Sequence, residues 1–266
     1  MRRRMIVSQE VVAMNTKPYG MICPITKACE MLEPRWTIPI LTELWSGSTR
    51  FNDLRRGIGN ISPTLLSRRL KELEAFGLVE RIEDHATGTV DYIRTQKAIE
   101  LEPALNALSI WAQRHIEAEA AVCDVNLSAL MWKMRRYILT DELPKRRLVI
   151  RFHFGDDVEY DTYWALIHPG AETEICTAIP GYDIDLYVET TVRSLSAILL
   201  ARSTVAREIE AGRLYLSGDA LLARTMQRWI STTDSIPDEG AAALYPEEKA
   251  IGNKVVQAFP RQAMSG

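Results

Sequence analysis

Polar side chains that could bind nucleic acid recur at helical spacing in one short stretch: Thr64, Ser67, Arg68 and Lys71. Hydroxyl groups can hydrogen-bond the edges of bases, and arginine or lysine can hydrogen-bond bases or neutralise phosphates. Side chains three and four residues apart share one face of a helix. Such a face could enter the major groove of B-DNA, which admits an α-helix. The alternative is a solvated helix face, because charged runs on helices are commonly only that.

Two helices and a turn must position this face. The first is predicted over residues 51–56, where Phe51 and Leu54 share an apolar side. Gly57 and Gly59 then break the chain into a turn. Two helices joined by a short glycine-containing turn are typical of a helix-turn-helix.

The second helix is predicted over residues 63–76. Ser62 suits the N-cap, Pro63 suits the first helical position, and Gly77 suits the stop. Its apolar side consists of leucines at intervals of four and three: Leu66, Leu70 and Leu73. Burial of these leucines leaves the polar face outward, as in a recognition helix.

Basic side chains are concentrated around this region. Residues 50–81 contain seven Lys/Arg against four Asp/Glu, a local net charge of +3. The whole chain has a net charge of −3, but attraction to phosphate depends on the distribution of charge rather than on the total. The candidate DNA-binding residues are Ser62, Thr64, Ser67, Arg68, Arg69, Lys71, Arg55 and Arg81.

A β-hairpin wing and a long helix are predicted next. Residues 78–82 and 90–94 have strand character and flank a polar loop that contains Gly88. The helix extends from about residue 96 to 121. Its apolar stripe is Leu101, Leu105, Leu108 and Trp111. We expect part of this stripe to join two copies of the chain, and the alternative is that it packs on a second domain.

Composition limits the class of protein. With 47% hydrophobic and 25% charged residues over 266 positions, a soluble globular chain of one large or two ordinary domains is expected. No apolar run is long enough to span a bilayer, and Ser8, Gln9 and Glu10 interrupt any leader, so we expect a cytoplasmic protein without membrane association. Four scattered cysteines and four histidines form no recognisable metal-ligand set, so no metal or cofactor is expected.

Residues 23 to about 115 resemble the HxlR-type winged-helix transcription regulators, relatives of the MarR group. The resemblance depends on Cys23-Pro24, Arg35-Trp36-Thr37, Arg50-Phe51-x-x-Leu54, Ile61-Ser62, Leu66-x-x-Arg69-Leu70-x-x-Leu73, Gly77-Leu78-Val79-x-Arg81, Tyr92 and Trp111. The chain departs from the family at Glu33-Pro34, where a glycine pair is usual, and at Arg94-Thr95, where a Leu-Thr step is usual. The resemblance implies a homodimer that binds double-stranded DNA, with Cys23 as a redox candidate.

The carboxy-terminal half has an α+β pattern. Alternating strands are predicted over residues 148–154 and 184–188, and helices follow them. This half resembles the sterol carrier protein type 2-like fold, which implies a twisted sheet covered by helices around an apolar ligand tunnel. The candidate ligand-binding residues are Phe152, Trp164, Leu186, Leu199 and Met226. The alternative for each is plain core.

The predicted organisation is therefore a winged helix-turn-helix domain followed by a sterol-carrier-like domain, of α+β class overall. The limits are residues 1–20 for an arm, 21–120 and 125–233 for the two domains, and 234–266 for a partly ordered tail. We expect a homodimeric transcription regulator that a hydrophobic small molecule modulates. The alternatives are a lipid carrier that uses the winged helix only to dimerise, and a thiol-based redox regulator acting through Cys23. An enzyme is not expected, because no catalytic constellation is apparent.

Overall fold

The computed structural model describes residues 18–156 and 159–232. The chain divides into two compact units, which meet in sequence at Pro103 and Ala104. The predicted tail and nearly all of the predicted arm lie outside the described residues. The domain limits at residues 120 and 125 stay a prediction.

The amino-terminal unit is a winged helix-turn-helix, as predicted. Its elements are α1 (Pro24–Leu32), α2 (Thr37–Trp45), α3 (Phe51–Ile58), α4 (Pro63–Ala75), β1 (Val79–Asp84), β2 (Thr89–Arg94) and the first part of α5 (Gln96–His115). Strands β1 and β2 pair antiparallel, with Arg81 opposite Tyr92, and form the wing. Helices α3 and α4 form the helix-turn-helix itself.

The leucines of α3 and α4 form the core of this unit. The α4 leucines 66, 70 and 73 are buried together with Leu54 of α3 and with Ile40, Leu41 and Leu44 of α2. Full burial of one leucine side chain contributes about 1.5–3 kcal/mol, so this face holds α4 against the unit. The Ser62 hydroxyl accepts a hydrogen bond from Leu65 N at 3.3 Å, which confirms the predicted N-cap.

Two predicted helix ends are corrected. Gly57 lies inside α3 instead of ending it, and the helix ends at Ile58, with Gly59 as its C-cap at φ +83°. A glycine tolerates this left-handed conformation because it has no Cβ. The long helix predicted to reach residue 121 ends at His115, and a separate short helix α6 (Ala118–Val122) follows.

The carboxy-terminal unit contains a five-stranded sheet and several helices. After α6 the elements are α7 (Leu127–Tyr137), a short 3-10 helix (Thr140–Glu142), β3 (Leu148–Phe154), β4 (Thr162–Ile167), β5 (Glu174–Cys176), β6 (Leu186–Thr190), α8 (Val192–Leu199), α9 (Val205–Glu210), β7 (Tyr215–Gly218), α10 (Ala220–Arg224) and α11 (Met226–Trp229). The strand order is β5-β4-β3-β6-β7. Strands β3 and β6 are parallel, and the other neighbouring pairs are antiparallel.

Strand register separates the side chains of this sheet onto two faces. Phe152 is opposite Tyr163 on β4 and Val188 on β6, and all three belong to the apolar core shared with the helices. One residue earlier, Arg151 is opposite Trp164. Because successive side chains of a strand point to opposite faces, Trp164 lies on the face away from Phe152.

Candidate nucleic-acid interface

The exposed face of α4 carries most of the predicted DNA-binding residues. Thr64, Arg68 and Lys71 are exposed, and Ser67 is half-buried. They lie opposite the buried leucines, because a helix advances about 100° per residue. The Arg68 Nε atom lies 3.8 Å from Glu72 Oε1, and its side chain is still 56% exposed. The structure therefore brings these polar groups together on one solvent-facing surface.

Arg69 has a different environment from its neighbour Arg68. Its side chain is only 14% exposed, and its guanidinium donates to Glu72 in the same helix. The Arg69 Nε atom also donates to the main-chain oxygen of Arg35 at 3.0 Å. The Arg69 side chain is therefore turned toward the segment between α1 and α2. It does not share the exposed face of α4, where the sequence analysis had placed it as a DNA contact.

The remaining predicted contacts lie around α4. Arg55 is exposed near the end of α3, and the exposed Arg81 guanidinium donates to Glu83 at 3.0 Å. The hydrogen bond to Glu83 raises the pKa of Arg81, so this side chain stays charged. The Ser62 oxygen caps α4, but a hydroxyl that accepts a hydrogen bond can still donate its own proton.

The wing is attached to the start of α3 by a cluster that sequence reasoning missed. Asp91 on β2 accepts from Thr49 Oγ1 at 2.7 Å and pairs with Arg50 Nε at 2.8 Å. The main-chain N of Tyr92 donates to Thr49 O at 2.9 Å. These contacts join the wing to the helix-turn-helix, although the residues involved are more than 40 positions apart in the sequence. The spacing of residues within either segment therefore could not predict them.

A buried carboxylate lies behind α3. Glu43 of α2 is buried, and Ser48 Oγ donates to its Oε1 atom at 2.7 Å. A Cβ atom at Gly57 would lie 2.1 Å from the Glu43 carboxyl carbon. Gly57 is therefore required for close packing of α2 against α3, and its role is not to break the helix.

The redox candidate Cys23 lies at the start of α1. It is half-buried, and all four cysteines of the chain are free thiols. Interaction with the backbone N–H groups of Thr26 and Ile25 lowers the pKa of Cys23 below its ordinary value. A helix N-terminus favours a thiolate for this reason.

The predicted dimerisation stripe on α5 is half-buried in its first part and exposed in its second part. Leu101 is half-buried and packs against the amino-terminal core, and Leu105 is also half-buried. Leu108 and Trp111 are 50% and 55% exposed. The outer part of the stripe is therefore an exposed apolar surface.

The five predicted ligand-binding residues do not line a single site. Four of them are buried in the core between sheet and helices: Phe152, Leu186, Leu199 and Met226. Trp164 is on the other face of the sheet, so its assignment to the same pocket is wrong. Its indole Nε1 is buried and makes no hydrogen bond within the described part of the chain.

Over residues 18–156 and 159–232, no cluster of His, Cys, Asp and Glu could hold a metal ion. No described helix combines the length and apolar character needed to cross a membrane.

A winged helix-turn-helix with an outward polar and basic recognition helix defines a DNA-binding transcription regulator as the class of this protein. Residues 31–120 match the HxlR-like helix-turn-helix family. The HTH-type transcriptional regulator YvaP of Bacillus subtilis is 37% identical over 98 residues, which are 36% of this chain and 91% of YvaP. The chain belongs to the HxlR-like helix-turn-helix family.

Two further similarities concern one regulator. YodB of Bacillus subtilis is 32% identical over 105 residues, which are 39% of this chain and 94% of YodB. The solved structure of its reduced form has a TM-score of 0.34 with 33% identity, covering 36% of this chain and 97% of that one. Each of these similarities covers less than half of this chain.

Proposed function

We propose that the protein is a homodimeric regulator. It would read the bases of double-stranded DNA through α4 and contact the DNA phosphate backbone through its wing. The base-reading set is Thr64, Ser67, Arg68 and Lys71, and the supporting contacts are Ser62, Arg55 and Arg81. The observation that carries the proposal is the exposed polar face of α4 opposite its buried leucines. Basic side chains on such a face can both neutralise phosphates and hydrogen-bond base edges.

Binding of duplex DNA at several salt concentrations tests the contacts. Loss of one phosphate contact flattens the logarithmic salt slope by about 0.9, whereas loss of a base contact costs roughly 1–3 kcal/mol and relaxes sequence preference. We expect one of these outcomes for Arg68→Ala and for Lys71→Ala. Glu74→Ala is the matched control, because Glu74 is also exposed on α4 but cannot attract phosphate. Wild-type affinity and slope in both basic variants would refute the recognition surface.

The exposed apolar groups of α5 and α1 support the dimer. Leu108 and Trp111 face solvent, and α1 has no buried residue among its nine positions, with Ile22 just before it 98% exposed. Exposed apolar surface of this kind is typical of an interface between chains. Regulators of the MarR and HxlR type are generally dimeric. A two-fold arrangement places both recognition helices on one side of a duplex.

For the second domain, over residues 125–233, we propose a sterol-carrier-like fold that binds a hydrophobic small molecule. A five-stranded sheet whose one face shares a large apolar core with the helices supports this. The ligand would enter among Phe152, Leu186, Leu199 and Met226, and Trp164 is excluded by its position. Extraction of the purified protein and mass spectrometry would identify any bound lipid. A carrier without regulatory function would bind lipid but no DNA.

A second candidate for regulation is oxidation of Cys23. The lowered pKa of its thiol favours this. Two similar proteins point the same way: YodB, whose structure was also solved after treatment with diamide, and the redox regulator HypR. Treatment with diamide should then change DNA affinity in the wild type and not in Cys23→Ser. Equal responses of the two proteins would exclude a sensor at this residue.

A further inference from the structure

The turn between α1 and α2 has a backbone conformation that its residue does not favour. Trp36, the N-cap of α2, has φ 84° and ψ −11°, in the left-handed region. A bulky L-residue is disfavoured there because its Cβ crowds the carbonyl oxygen. Such a residue persists only where the surrounding structure holds it in place, and strain of this kind is concentrated at functional sites.

Contacts on both sides of Trp36 hold the turn. The Arg35 guanidinium lies over the Trp36 ring, 5.2 Å from its centroid, and the ring packs against the amino-terminal core. Thr37 N donates to Pro34 O at 3.0 Å, and Ile40 N donates to Trp36 O at 2.9 Å. The strained residue therefore directs the chain into α2.

The recognition helix contributes a further contact to this turn. Arg69 Nε donates to Arg35 O at 3.0 Å, directly next to the strained residue, and the same guanidinium donates to Glu72. The planar guanidinium can serve two acceptors in different directions, whereas the single ammonium of lysine is a point charge. The other carboxylate oxygen of Glu72 is 3.8 Å from Arg68 Nε.

One chain of contacts thus extends from the strained turn to the exposed face of α4. It begins at Trp36, passes through the Arg35 carbonyl to Arg69 and Glu72, and ends at Arg68. Base readout depends on the direction of each side chain, whereas attraction to phosphate carries no sequence information.

We infer that Arg69 and Glu72 are positioning residues that tie the recognition helix to the Trp36 turn and thereby set sequence discrimination. This inference rests on the proposed DNA-binding function. It reassigns Arg69 from a DNA contact to a residue that acts through Arg68 and the orientation of α4.

The test compares the affinity of the full chain for two DNA duplexes. One is the duplex that the wild type selects from a random-sequence library, and the other is its scrambled form. Arg69→Met keeps an unbranched stem but removes both hydrogen bonds. We expect it to lower affinity for the selected duplex about tenfold, the equivalent of one hydrogen bond to a charged group, and to leave the scrambled duplex and both salt slopes unchanged. Arg69→Lys should recover part of the loss.

Hydrogen exchange without DNA provides the second readout. Arg69→Met should speed exchange of the Thr37 and Ile40 amides, and Arg68→Ala should not. Glu72→Gln provides a milder change should Arg69→Met fail to fold, and we expect the same pattern with a smaller loss. A reduced salt slope on both duplexes would identify Arg69 as a phosphate contact, and an equal loss on both would identify a general loss of structure.

The two hypotheses fail in different ways. If the wild type selects no sequence, the proposed function is refuted and this inference falls with it. If the wild type selects a sequence and Arg69→Met discriminates as well as the wild type, only the positioning role is refuted.

Discussion

Substitution of Gly57 by alanine should damage the helix-turn-helix, although alanine is the better helix former. The added Cβ would lie 2.1 Å from Glu43 Cδ and 2.2 Å from Glu43 Oε1, which is closer than atoms can pack. Glu43 is buried and hydrogen-bonded to Ser48, so it cannot rotate freely into solvent. Either α3 moves away from α2 or the carboxylate leaves its site.

Three contributions set the size of the effect. Overpacking of a core costs about 1–3 kcal/mol. Disruption of the hydrogen bond to the buried carboxylate costs roughly 1.5–3 kcal/mol. Alanine recovers about 1 kcal/mol over glycine in a helix interior. The net destabilisation is roughly 1.5–5 kcal/mol, a large share of the 5–15 kcal/mol that is typical of a whole domain.

Amide hydrogen exchange in the full chain is the suitable assay, because a protein of two units need not unfold in one step. Amides of Leu54, Leu66 and Leu70 should exchange at least about tenfold faster, since each 1.4 kcal/mol is a factor of ten. Gly155→Ala is the control, because its Cβ would meet only the Thr190 carbonyl at 4.0 Å.

The pair Gly57→Ala with Glu43→Ala gives a stricter test of the contact. Removal of the carboxylate makes space for the new methyl group, so Gly57→Ala should cost far less in that background. Unchanged exchange in the single variant, or an equal cost in both backgrounds, would refute the reasoning.

Three further predictions concern the dimer, the DNA site that it binds and the second unit. Trp111→Glu should shift the protein toward monomer in light scattering and weaken DNA binding, since an unpartnered charge is costly to bury; a stable dimer would show that Trp111 lies outside the interface. The two half-sites in the bound DNA should form an inverted repeat, with their centres about 10 bp or a multiple of 10 bp apart. Protection of a single asymmetric half-site in footprinting would contradict this. Glu208→Gln should destabilise the carboxy-terminal unit by about 3 kcal/mol, because the buried Glu208 carboxylate accepts from Ser194 Oγ at 2.6 Å and Arg213 Nε at 2.8 Å.

The effect of Glu208 should depend on pH. Burial alone raises the pKa of Glu208, but its hydrogen bonds to Arg213, Ser194 and Ser203 outweigh burial and lower it overall. The stabilisation is therefore present above the ordinary glutamate pKa of 4.5 and is lost as the pH falls through the lower value of the folded state. Urea unfolding of wild type and Glu208→Gln should converge in strongly acidic buffer, and a constant difference would contradict this assignment.

The amino-terminal fold was predictable because its signals are local. Leucines at intervals of three and four, with Ser62 and Pro63 before them, specify both the length of α4 and the face that it buries. Once that face is buried, helical geometry places Thr64, Arg68 and Lys71 outward. The wing was predictable for the same reason, since two strand-forming runs flank a short polar loop.

The roles of single side chains depended on contacts between distant segments. Arg69 was indistinguishable from Arg68 in sequence, and its acceptor, the Arg35 oxygen, is 34 residues away. In the sequence Gly57 resembles a helix breaker, and only the structure shows that Glu43 of another helix packs against it.

Trp164 is the corresponding case in the second unit. Its apolar character and burial were predictable, but its face depends on the register of β4 against β3. A shift of one residue in a strand moves every side chain to the opposite face. The sequence by itself thus determined which helices form and which faces they bury, because these depend on neighbours in the chain. Only the tertiary structure decided which polar groups of α4 stay exposed, because hydrogen bonds and steric contacts from distant residues engage the others.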